Sequence, residues 1–216
     1  MQLKRGLNKL FDRKHFTYQK YEEFLASISR HRILPLNEFR NYHNDKEVVI
    51  GLRHDSDSNF EALERMAWIE NKHWIRSTYF VLHSAHYFTP EIYPSLLKMQ
   101  SLGFEIGLHN DAMSFSGALY TLYDVIKKLR NAGLKIYGTS AHGDKAHRNI
   151  TFWEKFDKEQ VGIDYEAYEL DHNKYYSDCT FINGHRWHPG MLPEFKRGDR
   201  VQILIHPEIW GNKLYL

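Results

Sequence analysis

The sequence predicts an α/β fold built on a parallel sheet or barrel, and three observations support this prediction. Segments with strand-like and helix-like patterns alternate from Val48 onward. The strand-like segments are short runs of aliphatic and β-branched residues, which are typical of strands buried on both faces. Several of these runs end in Asp or His, and parallel sheets bind their ligands beyond the carboxyl ends of their strands. The same pattern therefore predicts the fold class and the location of the candidate site.

The first 47 residues are predicted to form helices that pack on the body of a single domain covering residues 1–216. Leu3, Leu7, Leu10 and Phe11 have helical spacing and basic neighbours. Packing on the body is favoured for this amphipathic helix, with membrane-surface binding as the alternative. Thr17 is a candidate cap for a second helix over residues 18–30, whose inner face would contain Tyr21, Phe24, Leu25 and Ile28.

The segment Val48-Val49-Ile50-Gly51-Leu52-Arg53-His54-Asp55-Ser56-Asp57 is the central feature of the sequence. Because side chains alternate along a strand, Asp55 and Asp57 project to the same side, roughly 6–7 Å apart at their backbones. Two carboxylates this close repel each other, and neither ionises cheaply without a cation or a shared proton. A polar loop that happens to contain two acids is the simpler alternative. The sequence favours a metal-centred active site.

The remaining elements follow in alternation. Helical periodicity is found over residues 60–72, 90–102 and 118–132, and strands are predicted over residues 77–82, 104–109 and 200–205. Residues 134–138 read as a further strand that leads into His142, and residues 152–160 as a less regular helix. Residues 175–178 and 184–189 are expected to be loops or short strands.

Composition excludes several classes of protein. Lys and Arg number 29 against 27 Asp and Glu, so the net charge of +2 gives no reason to expect a nucleic-acid partner. The single cysteine, Cys179, fits a reducing compartment and is expected to be a small buried thiol. No apolar run is long enough for a membrane span, and the basic N-terminus lacks the apolar centre of a signal peptide. A cytoplasmic protein is expected, and its oligomeric state is left open.

The order of the motifs resembles the polysaccharide deacetylase (NodB-homology) family, and within it the divergent WbmS-like branch of O-antigen clusters. The resemblance rests on Arg53-His54-Asp55-Ser56-Asp57, then Ser77-Thr78-Tyr79-Phe80, then Gly103-Phe104-Glu105-Ile106-Gly107-Leu108-His109, and on Leu204-Ile205-His206-Pro207. It implies a single-domain distorted (β/α) barrel. It also implies a metal-dependent hydrolase that removes an acetyl group from an N-acetylated sugar, in cell-surface polysaccharide or O-antigen biosynthesis.

The resemblance implies a divalent metal ion, with Zn²⁺ as the expected ion. Asp57 and His109 match metal-binding positions of the family. The second histidine of the family is replaced by Met113, whose thioether is a poor ligand for such an ion. His142 is the candidate third ligand because it also follows a predicted strand; a loop histidine bonded to backbone is the alternative.

The resemblance also implies roles in proton transfer. Asp55 matches the general base and His206 the general acid, and Asp178 is a candidate for orienting His206. Arg53 and His54 would hold Asp55 ionised or contact the substrate. Trp187 and Trp210 are candidates for stacking on a sugar ring, with a place in the core as the alternative for both.

Other functions use the same residues differently. A barrel that binds sugar without catalysis is favoured if Met113 signals a broken metal site. The Asp-x-Asp pattern at Asp55 and Asp57 also resembles haloacid-dehalogenase-type phosphatases, but the strand that should then carry paired acids ends in His206. A nucleotide-sugar glycosyltransferase would need a nucleotide-binding first third, and the first 47 residues offer only helices and a link.

Overall fold

Strand β2 (Val49–Ser56) is the centre of the structure, and all eight of its residues are buried. Strand β10 (Arg200–Ile205) pairs with one of its edges. The other edge is divided: β1 (Arg32–Leu34) pairs with the first half of β2, and β3 (Thr78–Leu82) pairs with the second half. The computed structural model describes residues 14–143, 146–182 and 185–211, with only the backbone of His185.

The sheet around β2 is parallel and curled. Its further strands are β4 (Glu105–Asn110), β5 (Gly138–Ala141), β6 (Tyr165–Glu166) and β7 (Lys174–Ser177). The strand order in the described part of the chain is β6-β5-β4-β3-β2-β10-β7, with parallel pairing throughout. Two short antiparallel strands, β8 (Phe181–Ile182) and β9 (His185–Arg186), form a separate pair. The predicted distorted (β/α) barrel is confirmed; the extent of the single domain over residues 1–216 remains a prediction.

Helices connect and cover these strands. They are α1 (Tyr18–Ile28), α2 (Leu36–Phe39), α3 (Phe60–Lys72), α4 (Tyr93–Ser101), α5 (Ala118–Asn131) and α6 (Phe152–Lys155). The Thr17 side chain caps α1 by accepting a hydrogen bond from the N–H of Lys20, and Asn59 caps α3 through Ala62. The buried face of α1 is the predicted one, formed by Tyr21, Phe24, Leu25 and Ile28. The predicted helix at residues 3–11 lies outside the described residues.

Some predicted boundaries differ from the structure. Strand β5 begins at Gly138, where the predicted strand ends, and Leu134 and Ile136 are buried in the segment before it. Gly138 allows a close approach: a Cβ atom there would lie 2.1 Å from the ring of Tyr165. The shift brings His142 directly after the end of β5. The predicted helix over residues 152–160 divides into α6 and a 3₁₀ turn, Lys158–Val161.

The inner face of the barrel changes character along β2. Near the beginning of the strand, Val49 packs with Phe80 and Tyr165 in a small apolar cluster. Two and three alternate positions further on, the same face carries Arg53 and Asp55, which are buried as well. The apolar end supports the sheet, and the polar end forms the candidate site. Among the described residues, no helix is long and apolar enough to cross a membrane.

Candidate active site

Side chains of β2 point alternately to the two faces of the sheet. Asp55 faces the inside of the barrel, and His54 faces the helix layer, where its Nε2 lies 2.7 Å from Oε1 of Glu70 on α3. His54 and Glu70 are completely buried. This placement argues against the predicted contact between His54 and substrate, because the ring is enclosed on the opposite face of the strand from Asp55.

Three side chains that can bind a metal meet near the carboxyl ends of β2, β4 and β5. One ligand atom from each of Asp57, His109 and His142 lies within 4.8 Å of the other two. His109 Nε2 is 3.1 Å from Asp57 Oδ1, and His142 Nε2 is 4.0 Å from the same oxygen. The structure thus brings together the three residues predicted as ligands, although Asp57 and His142 follow the ends of β2 and β5 and His109 lies within β4.

Local contacts prepare this cluster for a cation. His109 Nδ1 donates to the carbonyl oxygen of Ser140 at 2.7 Å, which leaves Nε2 facing Asp57. Oδ1 of Asp57 and Nδ1 of His142 are inaccessible to solvent and have no hydrogen-bond partner among the described residues. Unpaired buried polar atoms of this kind are costly. An oxygen and two imidazoles are suitable ligands for Zn²⁺ or a similar ion, so the donor set fits a divalent metal.

Opposite charges favour the contact between Asp57 and His109. Burial acts to raise the pKa of Asp57, but the His109 imidazole, whose Nε2 lies 3.1 Å from Asp57 Oδ1, outweighs burial and lowers that pKa. Burial acts to lower the pKa of His109, but the negative charges of Asp55 and Asp57 raise it. A cation at this position would replace the positive charge that His109 supplies.

Met113 does not take part in the cluster. Its side chain packs against the hydrophobic core, and its N–H donates to Asn149 Oδ1 at 3.0 Å. Asp111, the alternative ligand nearest in sequence, accepts hydrogen bonds from Ser84 at 2.7 Å and Asn149 at 3.0 Å. Asp111 Oδ1 lies 3.7 Å from His142 Nδ1, a position from which it can orient the imidazole.

Asp55 is positioned by Ser140 and Arg53, which form a polar network inside the barrel. Its Oδ2 accepts from the hydroxyl of Ser140 at 2.8 Å, and Arg53 donates to the same hydroxyl oxygen at 2.8 Å. The Arg53 guanidinium is 3.9 Å from that carboxylate oxygen. The other oxygen, Oδ1, has no hydrogen-bond partner among the described residues. Asp55 therefore keeps one free oxygen beside the metal-competent cluster, as a base requires.

A second carboxylate–histidine pair lies beyond the ends of β10 and β7, the next two strands in the sheet. Ile205 of β10 pairs with His54 of β2, so His206 follows at the level of Asp55. His206 Nδ1 lies 2.6 Å from Asp178 Oδ1. Burial acts to lower the pKa of His206, but the charge of Asp178 raises it well above its usual value. A raised pKa favours the imidazolium, the form that can donate a proton.

Three of the residues predicted to bind substrate have other contacts. Arg53 is fully buried beneath Asp55, so its position fits the predicted support of the carboxylate rather than contact with a sugar. Trp210 is 1% exposed and donates from Nε1 to Asp178 Oδ2 at 3.0 Å. Trp187 is also 1% exposed and stacks on Tyr176 with ring centroids 5.6 Å apart. Both tryptophans are core residues, as the alternative allowed.

Two residues of the site escaped the sequence analysis. Ser140 contacts Arg53, Asp55 and His109, and it precedes His142 by the two residues that place side chains on one face of a strand. Glu208 Oε1 accepts the backbone N–H of Asp57 at 2.8 Å, and burial together with the charge of Asp57 raises the pKa of Glu208 to about 7. The sequence does carry a signal for both: Ser140 lies two residues before His142, and Glu208 lies two residues after His206, a spacing that puts side chains on the same side of an extended chain.

Comparison with known proteins identifies solved structures that share this fold. No protein-family model matches the sequence, and no curated protein matches it. Among solved structures, a chitin deacetylase from the fungus Colletotrichum lindemuthianum aligns with a TM-score of 0.52 and 15% identity over 76% of this chain and 74% of that chain. A CE4 esterase from Streptococcus mutans aligns with a TM-score of 0.50 and 14% identity over 84% and 82%.

A mutant of a CE4 family pseudoenzyme with restored enzymatic activity is also similar, with a TM-score of 0.46 and 15% identity; this chain spans 56% of its length and is covered to 73%. The first two similarities show that the chain has the distorted barrel fold of these carbohydrate esterases and deacetylases.

Proposed function

We propose that the protein is a metal-dependent hydrolase that removes an acetyl group from an N-acetylated sugar. The observation that carries the proposal is the meeting of two sets of side chains at one edge of the sheet. They are the Asp57–His109–His142 cluster with Asp55 beside it, and the Asp178–His206 pair, whose members follow β7 and β10. The fold shared with a chitin deacetylase and a CE4 esterase supports the same chemistry.

Asp57, His109 and His142 would hold the ion. When bound, a divalent ion acts as a Lewis acid that polarises a carbonyl group and makes water more acidic. Zn²⁺ is the proposed ion because one carboxylate and two imidazoles leave a further position open in a tetrahedral site. Met113 does not argue for a broken site, because His142, which directly follows β5, would supply the third donor.

Proton transfer would be divided between the two carboxylate systems. Asp55, held by Ser140 and Arg53, accepts the proton of the attacking water on its free oxygen. His206, charged through Asp178, donates a proton to the nitrogen that leaves as an amine. The acid and base work on opposite sides of one amide bond, as addition and collapse of a tetrahedral intermediate require.

The finer parts of the proposal concern setting. We place the substrate in cell-surface polysaccharide or O-antigen biosynthesis, as the resemblance to the WbmS-like branch implies, and the protein in the cytoplasm, as its cysteine content suggests.

Acetate release tests the reaction. The purified protein, stripped of metal and then supplied with one equivalent of Zn²⁺, is incubated with oligomers of N-acetylglucosamine, and free acetate and new amino groups are counted. We expect equal amounts of both products with the parent and none with Asp55→Asn. Binding of the oligomer without release of acetate would instead favour the silent sugar-binding barrel.

A further inference from the structure

The turn after β7 places a thiol beside the proposed general acid. Cys179 Sγ lies 3.4 Å from Nδ1 and 3.7 Å from Nε2 of His206. The sequence predicted a buried thiol, but Cys179, two residues after the end of β7, is exposed. The N–H of Cys179 donates to the hydroxyl of Ser177 at 3.1 Å, which fixes the turn.

Asp178 completes a group of three ligand types. One ligand atom from each of Asp178, Cys179 and His206 lies within 4.8 Å of the other two. Asp178 Oδ2 already accepts from the backbone N–H of His206 and from Trp210, whereas Oδ1 lies 2.6 Å from His206 Nδ1. Asp178 and His206 are buried and rigidly held, and Cys179 provides access from solvent.

We propose that Asp178, Cys179 and His206 form a second site for a thiolate-preferring divalent ion, Zn²⁺, distinct from the Asp57–His109–His142 cluster. Bonds of about 2.3 Å to sulfur and about 2.0 Å to nitrogen put these two atoms about 3.5 Å apart in a tetrahedral site. The observed separation of Sγ and Nδ1, 3.4 Å, meets this requirement.

The proton balance favours exchange of protons for the ion. The ion displaces the proton between His206 Nδ1 and Asp178 and the proton of the Cys179 thiol, because only deprotonated donors bind a metal. Two protons leave as one divalent ion enters, so the net charge of the site does not change.

Occupancy of this site has a consequence that rests on the proposed function. A metal-bound His206 is no longer the imidazolium that donates to the leaving amine. Excess Zn²⁺ would therefore inhibit hydrolysis, while the first equivalent activates it.

Cobalt titration of the metal-free full chain tests the site without relying on activity. Thiolate bound to Co²⁺ gives an intense near-ultraviolet charge-transfer band, and Cys179 is the only cysteine in the sequence. We expect the band with the parent, independent of protein concentration, together with release of two protons per ion. Cys179→Ser should lose the band and still bind the first equivalent of metal. His206→Ala should bind the ion that gives the band at least tenfold more weakly.

His142→Ala separates this proposal from the proposed function. That variant should lose the first equivalent and retain the thiolate band, so the two sites can fail independently. Absence of the band in the parent would overturn the second site, as would a band of unchanged affinity in His206→Ala. In the activity assay, the concentration of excess Zn²⁺ that inhibits the parent should be at least tenfold lower than the concentration that inhibits Cys179→Ser.

Discussion

His109 Nε2 lies 3.1 Å from Asp57 Oδ1, although the two residues are 52 positions apart in the chain and end strands that are not adjacent. The Nδ1 atom of the same ring donates to the carbonyl oxygen of Ser140, so the ring cannot turn its Nε2 away without losing that bond. Asp55, two residues before Asp57, is held on the same side by the Ser140 hydroxyl. In the proposed reaction, this arrangement assigns Asp57 to the metal ion and Asp55 to proton transfer.

Substitution of each carboxylate by its amide tests this separation. Asp57→Asn should lose the metal, because the charged oxygen facing His109 is replaced by a neutral group. Asp55→Asn should retain the metal and reduce kcat by at least about 10²-fold, the usual contribution of a general base. The two variants are matched controls for each other, with metal content and acetate release measured on the same preparations. Undiminished turnover in Asp55→Asn would remove this residue from the mechanism.

His142→Ala should weaken binding of the first equivalent of metal at least tenfold. Loss of a direct ligand costs at least as much as the roughly 10–100-fold seen for residues that only orient ligands. His86→Ala, at an exposed position, is the control for loss of a histidine elsewhere. The measurement is competition with a chromophoric chelator. An affinity within twofold of the parent would mean that Asp111 or His206 supplies the third donor instead.

Local periodicity accounts for the parts of the structure that could be predicted. The pattern of residues 60–72 matches α3, and residues 200–205 match β10, because each buries one face or both faces against the rest of the fold. Alternation along β2 likewise placed Asp55 and Asp57 on one side. These features depend on neighbours in sequence.

Features that depend on distant partners could not be predicted in the same way. His54 adjoins Asp55 in sequence, but its environment is set by Glu70 on a helix that packs on the other face of the sheet. A lone cysteine is usually buried in the core, yet Cys179 is exposed after β7. Ser140 has no distinctive spacing from Arg53; only the curl of the sheet brings them into contact.

Glu70→Leu should destabilise the fold by about 3–5 kcal/mol, as removal of one partner from a buried charged network does. The Glu70 carboxylate accepts hydrogen bonds from Tyr21, Ser77 at 2.5 Å and Tyr79 at 3.0 Å, and it also contacts His54. An apolar side chain leaves these donors buried and unpaired. Urea unfolding of metal-free protein measures the effect, with Glu64→Gln on the same helix as control. A loss of less than 1 kcal/mol would show that the donors find other partners.

Asp178→Asn should shift the pH dependence of hydrolysis. His206 donates a proton in the proposed reaction, so activity is lost as pH rises through the pKa of His206. In the parent, burial alone would lower this pKa, and the negative charge of Asp178, whose Oδ1 lies 2.6 Å from Nδ1, raises it instead. The neutral amide removes that charge, and the pKa falls. The alkaline limb of kcat/KM should therefore move to lower pH by at least about one unit, within the usual range for one adjacent opposite charge.

Asp124→Asn, at an exposed carboxylate on α5 that pairs with Lys128, is the control and should leave the alkaline limb in place. The carbon-13 chemical shift of the His206 ring, followed by NMR in the inactive Asp55→Asn background, reports the same pKa directly. A lower kcat at every pH with an unmoved alkaline limb would show that Asp178 only positions His206 and does not set its charge.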